Sequence, residues 1–305
     1  MAIAGLQSTK LRHVPLVVMI LLEAALLICW SAGFVGVRFA LGHGSIFLLL
    51  FWRSLASAVL LLPLVAIMGR KLSWRDVLYQ AVLGALGMAG YLAGFASAIG
   101  YGVPTGLVAL VADMLPLAVA LLSWPVLGQG LSAKQWSGSF LGLTGVLIAS
   151  GWSVHATEAP VWSYALPLLG TVSLALATLL QKRKPSTPMP LFQSLCIQCF
   201  SASIIFAAIT LYQGRLLPVL DAHFIGGVFW LVFVATFGGY GLYYLALRTS
   251  SATRVTTILY LSPPLTMIWA WLVFDEPLSW GMAVGLVVSL LGVVVVAKST
   301  QAIRA

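Results

Sequence analysis

Charge is what this sequence has least of. Only 8% of its 305 residues are Asp, Glu, Lys or Arg, while 61% are hydrophobic. A soluble globular domain carries about 25% charged residues. A chain this long with so little charge would expose apolar patches well beyond what soluble proteins tolerate. The scarcity argues against a soluble enzyme, a disordered chain and a nucleic-acid-binding domain. It implies an integral membrane protein with little mass outside the bilayer. The formal net charge of +9 then reads as an orientation signal, and no nucleic-acid partner is expected.

Cysteine is also sparse. Cys29, Cys196 and Cys199 lie in apolar stretches, and the Cys196-x-x-Cys199 spacing has no metal or redox context around it. Neither a disulfide nor a metal role is expected there. The four histidines, His13, His43, His155 and His223, fall in expected loops or termini. No histidine sits inside an apolar run to serve a serine nucleophile, and no H-E-x-x-H is present. The few acids offer no obvious aspartyl dyad. A glycine-rich phosphate loop with its lysine is missing, as are a filter loop and a charged ring. These absences argue against an intramembrane enzyme, a single-chain ATP-driven pump and a channel. No metal and no cofactor are expected.

What the sequence has is long apolar runs. A helix needs about 20 apolar residues to cross about 30 Å of hydrocarbon. Cutting at charges, Pro/Gly clusters and polar runs gives ten spans. They are 14–39, 45–68, 76–99, 104–127, 134–151, 161–181, 189–212, 224–247, 252–274 and 279–297. The runs are continuous rather than alternating, so helices are expected and not a β-barrel. The first run is too long for a signal-peptide core and is read as a retained span. Thirteen of the sixteen bases fall in the termini and alternate loops, from Lys10 and Arg12 to Lys298 and Arg304. The other loops collect Glu158, Asp221, Asp275 and Glu276. This asymmetry places both termini in the cytoplasm.

The two halves resemble each other. At a shift of 147 residues, Gly94 meets Gly241, Val108 meets Val255, Pro116 meets Pro263 and Trp124 meets Trp271. Leu131-Ser132 meets Leu278-Ser279, Gly138 meets Gly285, and Gly145-Val146 meets Gly292-Val293. The expected fold is all-α, with ten transmembrane helices in two five-helix repeats, 14–151 and 161–297. An odd number of spans per repeat inverts the second copy relative to the first. Inverted repeats are a transporter architecture with a midplane site and alternating access.

Several stretches resemble the drug/metabolite transporter superfamily, with two EamA-type repeats. They are Trp30-Ser31-Ala32-Gly33-Phe34, Arg53, Val108–Pro116, Val255–Pro264 and the turn Asp275-Glu276-Pro277-Leu278-Ser279. The first-half turn departs from the acidic pattern, reading Gly128-Gln129-Gly130. In length and repeat layout the chain looks most like the YddG-type exporters of aromatic and other amino acids. The resemblance implies a bacterial inner-membrane exporter with a central cavity.

Ionisable residues at membrane depth are the first candidates for function. Asp113 sits three residues before Pro116, and its repeat mate Tyr260 sits three before Pro263. Each proline frees a carbonyl one turn back and kinks the helix. Asp113 thus reads as a handle for a substrate ammonium, as a protonation site, or as a packing residue. Glu23, seven residues before Trp30, is an auxiliary coupling or gating residue, or one paired with a neighbour. Arg53 reads as an anchor that snorkels to the interface. Glycines interleave with Tyr91 in the third span, and with Phe233, Phe237, Tyr240 and Tyr244 in the eighth. Such a wall suits an aromatic side chain or an organic cation. Gly138-x-x-x-Gly142 and Gly281-x-x-x-Gly285 read as close helix contacts.

The sequence therefore points to a secondary exporter of small amphipathic metabolites, foremost aromatic and other neutral amino acids. Trp30, Tyr91, Asp113, Tyr240, Tyr244 and Tyr260 are the expected substrate residues. A lipophilic-cation exporter is the alternative. The expected partners are a small-molecule substrate, the lipid bilayer and, as monomer or homodimer, at most another copy of the chain.

Overall fold

The computed structural model describes residues 16–128, 132–183, 189–249, 258–259 and 261–302. Among them every regular element is helical. The order is α1 (Leu16–Phe39), α2 (Ile46–Met68) and α3, which joins Trp74–Gly84, a π-helical stretch Ala85–Gly90, and Tyr91–Gly100. Then come α4 (Thr105–Ala112), α5 (Leu115–Leu127) and α6 (Ala133–Ala156). A 3-10 turn, Val161–Tyr164, leads into α7 (Ala165–Arg183), followed by α8 (Leu191–Tyr212). Next is α9, which joins Ala222–Trp230, a second π-helical stretch Leu231–Gly238, and Gly239–Thr249. The last two are α10 (Ser262–Phe274) and α11 (Trp280–Ala302).

Among the described residues six helices are long and apolar enough to cross a membrane, or seven if the bent pair α4–α5 is one span. Only 13 residues of α10 are helical, about 20 Å at 1.5 Å per residue and short of the hydrocarbon thickness. Part of the ninth expected span, 252–257 and Tyr260, lies outside the described residues. The outer surface stays apolar where water would not tolerate it: Ile67, Leu169, Phe140 and Leu272 are all more than 60% exposed.

Local signals that end one helix and start the next recur at the 147-residue shift. Helices α5 and α10 begin at Leu115 and Ser262 and end at Leu127 and Phe274. Each is closed by a left-handed residue, Gly128 at φ 69° and Asp275 at φ 53°. Ser132 then caps α6 by accepting from the Gln135 amide, and Ser279 accepts from the Met282 amide at the start of α11. Both π-helical stretches also fall at matching positions in α3 and α9.

The prolines act differently from the expected interior kinks. Pro116 is the second residue of α5, where a missing N–H costs nothing. The break itself falls at Asp113–Met114, and the axes of α4 and α5 differ by 40°. Pro263 likewise occupies the first turn of α10.

Helix pairing follows the same symmetry. The four most extensive contacts join α6 to α11, α3 to α7, α2 to α8 and α1 to α9. Exchanging the halves returns the same set, because α1 with α9 becomes α7 with α3. Helices α6 and α11 meet through glycine. A methyl on Gly145 would lie 2.5 Å from the Gly285 carbonyl oxygen, and one on Gly138 would lie 2.9 Å from that of Gly292. Ser289 Oγ donates to the Gly142 carbonyl across this seam at 3.0 Å. The glycine spacings thus give the close contact expected of them.

Candidate functional site

A cavity of about 80 Å³ lies where α1, α2, α3 and the π-helical part of α9 converge. Helix α1 supplies Trp30, Gly33, Phe34 and Val37; α2 supplies Leu50 and Arg53; α3 supplies Tyr91, Phe95 and Ile99; α9 supplies Ala235. The wall is aromatic. The Tyr91 and Phe95 rings meet edge-to-face at 4.2 Å, Phe34 meets Phe95 at 5.9 Å, and Trp30 meets Tyr243 at 5.8 Å. Its volume is below the roughly 300–1,000 Å³ of pockets that hold small organic ligands. Admitting one requires the helices to part.

Arg53 is the charged group in this wall. It is 7% exposed, so it does not snorkel to the interface as its place near a span end suggested. Its Nε and Nη2 donate to Thr236 Oγ1 at 3.4 and 3.3 Å. Thr236 in turn donates to the Leu231 carbonyl, five residues back, at 2.8 Å. A regular helix has no such register. The π-helical stretch sets it and turns the hydroxyl toward α2. Thr236 also borders a second cavity of about 560 Å³, between Leu60, Leu61 and Leu64 of α2, Phe192 and Leu195 of α8, and Phe237 and Gly241 of α9. The Arg53–Thr236 contact stands between the two spaces.

The expected site residues fall in different places. Trp30 and Tyr91 line the central cavity. Glu23 is 5% exposed, on the stretch of α1 that packs through Leu22 and Leu26 against Leu242, Tyr243 and Ala246. Asp113 sits at the α4–α5 break, away from the lining of this cavity. Its Oδ2 is buried without a hydrogen-bond partner among the described residues. The side chains of Tyr240 and Tyr244, and Tyr260 altogether, lie outside the described residues.

One further contact joins the halves. Glu276 accepts from the Thr105 amide at 2.8 Å and from Thr105 Oγ1 at 2.6 Å. It caps α4 from the distant α10–α11 turn, where an anion complements the helix dipole. Arg38, at the end of α1, pairs with Glu276 at 3.4 Å and lies over the Phe274 ring at 5.8 Å. Thus α1, α4 and α10 are tied at one end of the bundle. The sequence marked Glu276 as part of a motif, but not its partner 171 positions away.

Fold and cavity define a polytopic helical membrane protein built from two related halves. The EamA-like transporter family model matches residues 17–151 and again 161–298. The chain belongs to the EamA-like transporter family. It is a multi-pass membrane transporter and not an enzyme. A protein named as an uncharacterized transporter from Archaeoglobus fulgidus is 24% identical over 88% of this chain and 95% of its own length. A probable amino-acid metabolite efflux pump from Escherichia coli is 29% identical over 64% of this chain and 68% of its own. Protein PecM of Dickeya dadantii is 25% identical over 76% of this chain and 79% of its own. A protein of known crystal structure shares the fold, with a TM-score of 0.63 at 16% identity over 95% of this chain and 99% of its own.

Proposed function

We propose that this protein exports small amphipathic metabolites, foremost aromatic and other neutral amino acids, by alternating access. The observation that carries the proposal is a buried guanidinium, Arg53, in an otherwise largely apolar central cavity that includes the rings of Trp30, Phe34, Tyr91 and Phe95. A carboxylate replacing Thr236 on Arg53 gains a charge-assisted, bidentate partner. The rings of Trp30, Tyr91 and Phe95 then receive an apolar or aromatic side chain. Asp113 is the proton site at the helix break, with Tyr260 as its repeat mate, and Tyr240 and Tyr244 are further substrate residues. Glu23 is an auxiliary coupling residue. The efflux pump of Escherichia coli named above supports the same substrate class.

On this reading ten spans form two inverted repeats in a bacterial inner membrane, with both termini cytoplasmic. The pairing that survives exchange of the halves supports inversion. The lipophilic-cation alternative is disfavoured, because a fixed positive charge in the wall repels a cationic ligand. Flux in liposomes with radiolabelled Phe, Thr and a quaternary ammonium compound separates the two. Phe and Thr are expected to move and the ammonium compound to stay. No amino-acid flux above that of empty liposomes overturns the proposal.

A further inference from the structure

Outside the cavity, three metal-ligating side chains meet at the end of the bundle where α1 passes to α2 and α8 to α9. His43 lies in the α1–α2 turn, just after Gly42 at φ 84°. Asp221 is the N-cap of α9, and its Oδ1 accepts from the His223 and Phe224 amides at 2.8 and 3.2 Å. Those bonds fix the carboxylate. His43 Nδ1 lies 3.0 Å from the same oxygen and His223 Nδ1 lies 3.7 Å from it. The two imidazoles stack at 4.3 Å with 15° between planes. The Phe39 ring flanks His223 at 5.4 Å. One ligand atom from each of the three residues lies within 4.8 Å of the others.

We propose that His43, Asp221 and His223 bind a divalent transition-metal ion, with Zn²⁺ the natural probe. Two imidazole nitrogens and one carboxylate oxygen are a donor set for Zn²⁺, Ni²⁺ or Cu²⁺, whereas Mg²⁺ and Ca²⁺ require oxygen-rich shells. Ligand atoms across a tetrahedral Zn²⁺ stand about 3.3 Å apart. Both nitrogen–oxygen distances come within a few tenths of an ångström of that value. The Phe224 and His223 amides donate to the Asp221 carboxylate and orient it, and a carboxylate is the charged form at neutral pH. All three side chains are at least one-third exposed, so an ion enters directly and water completes its shell. The bound ion ties the α1–α2 turn to the start of α9. Helices α1 and α9 pack on each other and both line the central cavity. The site thus restrains two walls of the cavity from outside it, and it exists whether or not amino acids are the substrate.

The test uses the full chain, purified metal-free in detergent. Wild type is expected to unfold at a higher temperature with Zn²⁺ and not with Mg²⁺, and to give visible absorption bands with Co²⁺. Affinity in a Co²⁺ titration is expected to fall roughly ten-fold or more in His43→Ala and further when His223→Asn is added. His13 and His155 remain in every variant and report adventitious binding. The titration is made below the unfolding temperature, so a destabilised variant still gives an answer. An unchanged Zn²⁺ and Co²⁺ response in the double variant, or none in wild type, overturns the proposal.

Discussion

Arg53 and Thr236 carry the most consequence per atom. A buried cation is expensive in an apolar medium, and here a hydroxyl displaced by a π-helical turn is placed to meet it. Arg53→Gln keeps hydrogen-bonding capacity but removes charge. A hydrogen bond to a charged group contributes about 1.5–3 kcal/mol, so Phe flux is expected to drop at least roughly ten-fold, with KM rising. Thr236→Val keeps the volume and removes the hydroxyl. A milder loss is expected, read in the same liposome assay. Asp113→Asn tests the acid at the break. Flattened pH dependence of flux is expected of a proton site, whereas unchanged flux and unchanged pH dependence reduce Asp113 to packing.

Two contacts between elements decide how the bundle holds together. The α6–α11 seam lets backbones approach because glycine has no Cβ at Gly138, Gly145, Gly285 and Gly292. Gly145→Val drives two methyls into the Gly285 carbonyl and Ser289. Overpacking of this kind costs about 1–3 kcal/mol, and thermal unfolding in detergent is expected to show the loss. Glu276 works across the halves as the cap of α4. Glu276→Ala removes the cap and the Arg38 partner together. The expected cost is about 0.5–2 kcal/mol, with the α4 end opening to cysteine labelling at Thr105→Cys. The first-half counterpart in the sequence, Gln129, carries no charge.

At the scale of the whole molecule, the charge asymmetry and the duplicated fold make one prediction about orientation. Single cysteines introduced at Glu158 and Lys182 are expected to react with impermeant reagents from opposite sides, Lys182 from the cytoplasm. Labelling of both from one side overturns the two-repeat inverted layout. Because loops that hold His43, Thr105, Asp221 and Glu276 share one end of the bundle, that end is then the periplasmic one.

The sequence by itself determined the membrane setting, the helical class and the repeat. Apolar runs report burial in lipid directly, and the 147-residue shift reappears in helix starts, left-handed caps and capping serines because these are local signals. Tyr91 was legible as a cavity residue from its spacing among glycines, and Trp30 from the stretch that carries the family resemblance. Tertiary structure decided what no local pattern encodes. The inward turn of Arg53 depends on a π-helical register in a helix nearly two hundred positions away. The ionic tie at Glu276 and the meeting of His43 with Asp221 and His223 likewise join residues distant in the chain. The role of Pro116 changed for a related reason. A proline favours both a kink and a helix start, and only the 40° turn at Asp113–Met114 shows which one the packing selected.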